Sequence, residues 1–410
     1  MKRLPAYPVY LALSSATAFL FSMIFTATSL YEVTIAQLNP LQLVLVGTML
    51  EASIFLCEVP TGVVADVYSR RLSIIIGYFL IGAGFILEGS LPLFGTILLA
   101  QVLWGLGYTF TSGATQAWIT DEIGEEAATQ AFLRGSQFSN VGGLLGMLAG
   151  IGLGNVQINL PILLGGALLC FVGVALVVWM PEDGFKPTPR EDRNSWQHML
   201  YTFRGGLGML QQRPALLNIF LIGLFYGLYS EGFDRLWVKH VVEDFTLPAL
   251  PGVTEVVWIG LIRITGALAS LLAVEFVRRK LEGSQPGKMI RVLFALSALL
   301  VAGLGTLAVL QGSFWWVLLP LWCINIARSA IEPLYTAWVN QRLDSNVRAT
   351  VISMSSQVDA IGQTVAGPLM GVVGKLVSVR AALGLSTLIL SPILGLYQRV
   401  LNKPDQAEQS

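Results

Sequence analysis

Charged residues are scarce in this chain. Only 12% of its 410 residues are Asp, Glu, Lys or Arg, about half of the roughly 25% that is typical of a soluble domain. Hydrophobic residues make up 54%, so most of the chain must face lipid or other helices. The 25 basic and 25 acidic residues cancel, and this balance gives no sign of a nucleic-acid partner.

Histidine and cysteine are also few. His198 and His240 are far apart, and Cys57, Cys170 and Cys323 all lie in apolar stretches. Because no metal-ligand or disulfide spacing is present, we expect no metal and no cofactor, and we interpret the cysteines as small buried hydrophobes. A Ser-His-Asp set and a Walker-type phosphate loop are missing too. These absences argue against an enzyme and against direct use of ATP.

What the chain does have is a series of long apolar runs. A spanning helix needs about 20 mainly apolar residues, and twelve such runs are centred near residues 21, 53, 81, 107, 141, 169, 227, 265, 299, 327, 360 and 389. The first run is too long for a signal peptide, so we interpret it as a retained membrane helix. The pattern predicts an all-α integral membrane protein with twelve transmembrane helices.

Basic residues alternate between the gaps that separate these runs. Nineteen of the 25 fall on one side, two lie within spans, and the other side has only Arg235, Lys239, Lys375 and Arg380. The positive-inside rule then places both termini in the cytoplasm, which agrees with an even number of spans. We expect a multi-pass protein of the plasma (cell inner) membrane.

The longest polar interval separates spans six and seven. It divides the chain into an N-terminal six-helix half (1–180), a cytoplasmic linker (181–213), a C-terminal six-helix half (214–402) and a cytoplasmic tail (403–410). Apolar residues recur at helical spacing within the linker, which predicts an amphipathic helix lying in the membrane interface.

The two halves are related by an internal repeat. Identical residues recur at a constant offset of 220 positions: Ala117-Trp118 and Ala337-Trp338, Ser136-Gln137 and Ser356-Gln357, and Gly142 and Gly362. Spans four and five therefore correspond to spans ten and eleven, as in parallel repeats about an axis along the membrane normal. Trp118 and Trp338 fall near the cytoplasmic ends of their spans, and we interpret them as interfacial anchors.

A charged hairpin joins spans two and three. Asp66 ends one apolar run, and Arg70 and Arg71 follow one turn later, although charges this close to lipid are costly. Together with Gly62, these residues form a pattern that resembles the signature loop of the major facilitator superfamily of secondary transporters. The resemblance covers essentially the whole chain.

The resemblance implies a role for this hairpin. In the family the loop is a charge-relay latch at the cytoplasmic face, closed in the outward-open state. By resemblance, Asp66 would pair near Arg348 at the start of span eleven, and Arg70 would pair with Asp121 at the end of span four. The alternative is that the arginines only set the topology.

Some positions depart from the family pattern. Val67 stands where the family often has Arg, and Ser69 stands where it often has Gly. Gln101 lies near the position of an Arg that drug/proton antiporters carry in span four, and the glycine-rich span five lacks their proline. These departures weaken an assignment to the drug/proton antiporters in particular.

Acidic residues within the spans are candidates for proton coupling, because each charge costs roughly 2.5–3.5 kcal/mol at mid-bilayer. They are Glu51, Glu58, Glu332 and Asp359. Desolvation favours the protonated form of a carboxyl group, and Glu51, near the middle of span two, is the first candidate for the proton carrier. Its alternative is a structural acid, which is our interpretation of Glu58 near the hairpin.

Further candidates line the predicted substrate path and its outer end. Arg328 and Glu332, four residues apart in span ten, are expected either to form an intrahelical pair or to face the cavity. The substrate-cavity candidates are Gln101, Trp104, Tyr108, Asn325 and Arg328. The outer-gate candidates are Glu231, Asp234 and Arg235, with a cluster that snorkels to the membrane rim as the alternative.

The activity favoured by these patterns is secondary active transport by alternating access, as proton-coupled efflux of a small, partly hydrophobic compound. We expect a monomer in the lipid bilayer with protons and a small molecule as its ligands. One alternative is uptake of a metabolite or organic anion, with Arg328 as the anion contact. Another is a non-transporting receptor or lipid scramblase.

Overall fold

The computed structural model of the chain describes residues 3–187, 214–281, 286–341 and 345–402, with the backbone alone at 214–216, 286, 345–354 and 356. The predicted interfacial helix and the tail from residue 403 lie outside the described residues. The helices are α1 (Ala6–Thr34), α2 (Pro40–Val67), α3 (Arg70–Ser90), α4 (Phe94–Thr111), α5 (Ala114–Ile123), α6 (Glu125–Val156), α7 (Leu160–Trp179), α8 (Pro214–Asp244), α9 (Glu255–Leu281), α10 (Pro286–Val309), α11 (Phe314–Gln341), α12 (Ser345–Leu376), α13 (Val379–Leu390) and α14 (Pro392–Asn402). Strands β1 (Phe245–Thr246) and β2 (Gly312–Ser313) pair in parallel.

The predicted spans are confirmed as helices, because every predicted centre falls inside one. Ten helical segments of the described residues are long and apolar enough to cross a membrane. The segments that miss this criterion are α8 and α12, which contain Asp234 and Asp359. Large apolar side chains remain exposed, among them Leu272 at 76% and Leu388 at 69%. Exposed apolar surface of this kind suits lipid rather than water, so the molecule is an all-α membrane protein.

Two spans are each built from two helices, which the apolar pattern did not predict. Between α4 and α5 the chain passes through Gly113 at φ +71°, and between α5 and α6 through Gly124 at φ +83°. Glycine adopts this left-handed backbone without the steric cost that a Cβ imposes. The last span is interrupted at Ser391, between α13 and α14.

The described chain forms two compact units. Unit 1 comprises the described residues within Met1–Leu38, Leu45–Met199 and Leu250–Gly260, and unit 2 comprises those within Asn39–Val44, Leu200–Ala249 and Leu261–Ser410. In unit 1, α1 packs along α6, while α3 lies against α4 and α7. In unit 2, α8 packs along α12, while α10 lies against α11 and α13. The same order of helix pairs thus occurs twice, as expected for two six-helix repeats.

Glycines at equivalent repeat positions allow close approaches between these helices. A Cβ on Gly142 would lie 2.5 Å from the carbonyl oxygen of Ser15 in α1, and a Cβ on Gly362 would lie 3.0 Å from that of Leu224 in α8. Small residues let membrane helices pack backbone against backbone. The repeated glycines therefore preserve one packing arrangement in both units.

The repeated tryptophans are not interfacial anchors, so that interpretation was wrong. Trp118 and Trp338 are each only 1% exposed. The indole Nε1 of Trp118 donates to the carbonyl oxygen of Pro181 at 2.7 Å. The ring of Trp338 packs against Tyr335 and Tyr397, with centroids 5.9 and 6.2 Å apart. Each indole fills the interior of its own unit, where burial of a large aromatic ring stabilises the fold.

Candidate functional site

Unit 2 contains an open cavity of about 580 Å³. Its wall is formed by side chains of α8, α11 and α12, with Leu300 from α10. Pockets for small molecules typically measure about 300–1,000 Å³, so this volume suits a small organic compound. The lining includes an unusual number of ionisable side chains for a membrane protein interior: Asp234, Arg328, Glu332 and Asp359.

Arg328 and Asp234 form a bidentate ion pair across this cavity wall. Nη2 of Arg328 donates to Oδ2 of Asp234 at 2.8 Å, and Nη1 donates to Oδ1. The guanidinium carbon also lies 5.5 Å from the centroid of the Phe233 ring. The planar fork of an arginine matches a carboxylate with two parallel bonds. Among the described side chains Arg328 therefore pairs with Asp234 on α8, and the predicted intrahelical pair with Glu332 does not form.

Two further carboxyl groups line the cavity. Asp359 on α12 is half-buried, and its Oδ2 accepts a hydrogen bond from Nε2 of Gln363 at 2.8 Å. Glu332 on α11 is exposed. With Asp234 engaged by Arg328, these two acids are the excess negative charge of the lining. Both were proton-coupling candidates, and the fold brings them to one cavity.

Three tyrosines complete the wall, and the sequence analysis did not single them out. The ring of Tyr226 lies 6.4 Å from Tyr229 and 6.1 Å from Tyr335, in edge-on arrangements. The hydroxyl of Tyr335 donates to the carbonyl oxygen of Ile219 at 2.6 Å, and that of Tyr226 lies 2.9 Å from Oγ of Ser297. These bonds hold two of the rings in place. The signal in the sequence was two tyrosines three residues apart in the polar span seven.

The remaining candidates of unit 2 fall in different places. Asn325 lines the cavity, and its Nδ2 donates to the carbonyl oxygen of Leu321 at 2.9 Å. Glu231 is 5% exposed and pairs with Arg235 one turn away, at 3.0 Å. Asp234 faces the cavity instead. The predicted outer-gate residues therefore take part in two ion pairs, Glu231 with Arg235 and Asp234 with Arg328, and their gating role stays a prediction.

In unit 1, the charged hairpin contains the ion pair that the resemblance implied. Nε of Arg70 at the start of α3 lies 2.8 Å from Oδ2 of Asp121 on α5. Asp66 is half-buried near the end of α2, and the space beside Gly62, one turn earlier, is open. Arg348 belongs to α12, but its side chain lies outside the described residues. The gating role of this set stays a prediction.

Glu182 organises the same hairpin and was missed by sequence reasoning. Its Oε2 accepts from the hydroxyl of Ser69 at 2.7 Å, and its Oε1 accepts from the backbone N–H of Arg71 at 2.8 Å. The Ser69 oxygen also accepts from the N–H of Leu72, which caps α3. A glycine at position 69 could make neither side-chain bond, so this departure from the family pattern has a structural purpose. The signal was an acid directly after Pro181, at the end of span six.

The substrate-cavity candidates of unit 1 are Gln101, Trp104 and Tyr108. Gln101 is buried and donates to Oε2 of Glu88 at 3.1 Å, which does not support a role in a cavity. The ring of Trp104 packs with Phe25 and Phe85, at centroid distances of 5.2 and 5.3 Å. Tyr108 is 44% exposed. Like Glu51, Glu88 is an acidic residue within a membrane span, but the sequence analysis overlooked it.

The proton-coupling candidates on α2 belong to unit 1. Glu51 is half-buried and Glu58 is exposed. They precede Pro60, which lies inside α2. Their roles stay predictions.

Comparison with known proteins decides the family. The model of the Major Facilitator Superfamily matches residues 10–367. The chain belongs to this superfamily. It is also 23% identical over 353 residues to the uncharacterized MFS-type transporter YxaM of Bacillus subtilis (strain 168), which covers 85% of this chain and 83% of that protein.

Solved transporters share the fold of this superfamily member. The nucleoside transporter NupG superposes with a TM-score of 0.74 at 14% identity, covering 98% of this chain and 100% of that one. A POT family transporter in complex with a thioalcohol-conjugated peptide gives 0.71 at 14% identity, covering 98% and 99%. A bacterial homolog to the human lysosomal transporter Spinster, inward-facing and occupied, also gives 0.71 at 14% identity, covering 98% and 97%.

Membership in the superfamily establishes the general activity. The chain is a multi-pass membrane protein that performs secondary transport of a small molecule and is not an enzyme. These solved neighbours, each at 14% identity, establish the fold alone. The substrate must therefore be argued from the side chains of this chain.

Proposed function

We propose that the protein exports a small, partly hydrophobic compound in exchange for protons, by alternating access. The observation that supports this proposal is the lining of the unit 2 cavity, where Glu332 and Asp359 face the same space as the tyrosine rings. The half-buried carboxyl group of Asp359 can take up and release a proton, and the rings beside it provide apolar contact for a ligand. Proton binding and compound binding would then meet at one site.

Uptake of an organic anion is the less favoured alternative. Arg328 was its expected contact, but two guanidinium nitrogens of Arg328 are engaged by Asp234. An anion would also lie beside the carboxyl groups of Glu332 and Asp359. Like charges at close range are unfavourable, more so where water is scarce.

The hairpin of Asp66, Arg70 and Arg71 is proposed as a latch that stabilises one state of the transport cycle. The ion pair of Arg70 with Asp121 supports this, since it links the hairpin to the end of span four. We further propose a plasma-membrane location, cytoplasmic termini and a monomer. The excess of basic residues on one side of the spans supports the orientation.

Proton flux in reconstituted vesicles tests the proposal. The full-length protein is placed in vesicles with a trapped pH-sensitive dye, an outward or inward pH gradient is imposed, and a panel of small compounds is added. We expect at least one compound to dissipate the gradient in a protein-dependent manner and to accumulate against its own gradient. Protein-free vesicles and vesicles containing Glu332→Gln with Asp359→Asn are the controls. Movement of compound with no change in lumen pH would contradict proton coupling, and a receptor or scramblase would move neither.

A further inference from the structure

The charges of the unit 2 cavity are unbalanced. Its titratable side chains are Tyr226, Tyr229 and Asp234 from α8, Arg328, Glu332 and Tyr335 from α11, and Asp359 from α12, while the lining from α10 is Leu300. Three carboxyl groups therefore face one guanidinium group. Since Asp234 and Arg328 neutralise each other through two hydrogen bonds, Glu332 and Asp359 remain without a basic partner among the side chains that the structure describes.

The aromatic lining favours a positively charged ligand, as the two acids do. The faces of tyrosine rings attract cations, because the ring quadrupole is negative above and below the plane. Tyr226 and Tyr335 are fixed by their hydroxyl bonds to Ser297 and Ile219, so both rings are preorganised. An anion would compete with Asp234 for the two guanidinium nitrogens of Arg328 that Asp234 engages.

We infer that this cavity binds a small organic cation, an amine or related monocation with an apolar part, with Glu332 and Asp359 as its countercharge. The inference rests on the proposed function in taking the cavity as the substrate site. It adds the substrate class, which neither the superfamily nor the solved neighbours determine.

One consequence concerns coupling. A carboxyl group cannot hold a proton and at the same time offer its full negative charge to a cation. Where one of these carboxyl groups holds a proton, binding of the cation releases it, and protonation of the carboxyl group expels the cation. Because the proton and the cation compete for the same carboxyl groups, binding of one displaces the other. The charge at the site stays balanced during this exchange.

Two ions of matched size and opposite charge provide the test. Tetraphenylphosphonium is the cation, tetraphenylborate is the anion, and binding to the full chain in phosphatidylcholine nanodiscs is measured by titration calorimetry, with empty nanodiscs subtracted for partition into lipid. We expect saturable binding of tetraphenylphosphonium and none of tetraphenylborate. Repeating the titration in buffers with different heats of ionisation should show release of protons on binding.

Variants locate the binding site. Glu332→Gln with Asp359→Asn should raise the Kd for tetraphenylphosphonium at least tenfold and abolish proton release. Glu332→Gln alone changes an exposed side chain and should fold, with a smaller rise in Kd in the same direction. The matched control is Glu275→Gln on α9, which removes an exposed carboxyl group that pairs with Arg278 and Arg279 outside the cavity, and it should bind as the wild type does.

The results separate this inference from the proposed function. Equal binding of tetraphenylborate, or unchanged tetraphenylphosphonium binding in both cavity variants, overturns the cation class. Proton-driven transport of a compound in vesicles together with no tetraphenylphosphonium binding also overturns it, while the proposed function stands. Binding with proton release but no transport of any compound leaves the cation site in place and removes the proposed function.

Discussion

Arg328 and Asp234 lie 94 positions apart in the chain, yet their side chains meet through two parallel hydrogen bonds. The pair ties α11 to α8, the helices of unit 2 that contribute most of the charged cavity wall. A change in the shape of this cavity must either move both helices together or break the pair. The ion pair is therefore both a structural tie and a candidate point of control in the transport cycle.

A double-mutant cycle should reveal this tie. We expect Asp234→Ala and Arg328→Ala each to lower the transport rate and the melting temperature, because each leaves an unpaired charge in the cavity wall. The side chains are 42% and 33% exposed, so water screens the pair and we expect a coupling energy of order 1 kcal/mol, well below that of a fully buried pair. The measurement is thermal unfolding of the two single variants and the double variant in detergent. Strictly additive effects would show that the two residues act independently.

Much of the fold could be predicted because the membrane imposes a simple rule on sequence. Each span must be apolar for about 20 residues, and every predicted centre lies in a helix. The breaks at Gly113 and Ser391 were not predicted, since the apolar pattern continues on both sides of each break. A hydropathy pattern reports what surrounds a segment and is insensitive to a local change in backbone direction.

The candidate site could be predicted only in part, because its contacts are long-range. Local spacing suggested Glu332 as the partner of Arg328, but the fold supplies Asp234 from another helix. The aromatic wall was likewise invisible, since Tyr226 and Tyr335 approach each other only after α8 and α11 pack. Intramembrane charge singled out Arg328, Glu332 and Asp359 and placed Asp234 in an outer gate, and only the tertiary structure shows that Asp234 pairs with Arg328.

Glu182 should matter for the stability of the hairpin. We expect Glu182→Gln to lower the melting temperature by a few degrees, because charge-assisted bonds to the Ser69 hydroxyl and the Arg71 N–H are replaced by neutral ones, worth of order 1 kcal/mol. Asp183→Asn is a matched control, since its side chain is 83% exposed and its removal should change little. Ser69→Gly should lower the melting temperature more than Glu182→Gln does, because it also removes the cap of α3. The double variant should be destabilised by less than the sum of the two single changes. Full additivity would contradict a shared network.

The latch hypothesis predicts a defect in transport without a defect in insertion. Asp66→Asn or Arg70→Ala should leave the amount of membrane-inserted protein unchanged and lower the transport rate. The reason is that loss of one charge changes the relative stability of the two transport states by no more than the contacts that differ between them. Arg134→Ala on α6 removes an exposed arginine as a control. Wild-type rates in both hairpin variants would refute the gating role.

The proposed orientation can be tested by single-cysteine labelling. In a background without native cysteines, single cysteines are introduced in place of Lys186 and Lys403. In intact cells they should be protected from a membrane-impermeant thiol reagent, and they should react after the membrane is opened. The physical basis is the concentration of basic residues on one side of the spans. A cysteine at Lys375, on the opposite side, should label from outside. Labelling of position 186 or 403 in intact cells would contradict the proposed topology.

The last prediction concerns which acid moves the proton. Glu51→Gln mimics the permanently protonated form of Glu51, because the amide is neutral and nearly isosteric with the acid. If Glu51 is the carrier, exchange of substrate across the membrane should persist, since the shape of the site is kept. Accumulation driven by a pH gradient should vanish, since no proton can be released. Both are measured in vesicles, with labelled substrate on one side for exchange and an imposed pH gradient for accumulation.

Glu58→Gln and the cavity acids distinguish the alternatives. Glu58 is exposed on the same helix, and as a structural acid near the hairpin it should alter exchange and stability together when changed. Glu332→Gln and Asp359→Asn should separate exchange from accumulation only if the cavity acids are the carriers. Desolvation favours the neutral carboxyl. The variants of the half-buried Glu51 and Asp359 are therefore the ones to compare directly. Intact pH-driven accumulation in Glu51→Gln, together with its loss in Asp359→Asn, would move the coupling site from α2 in unit 1 to α12 in unit 2.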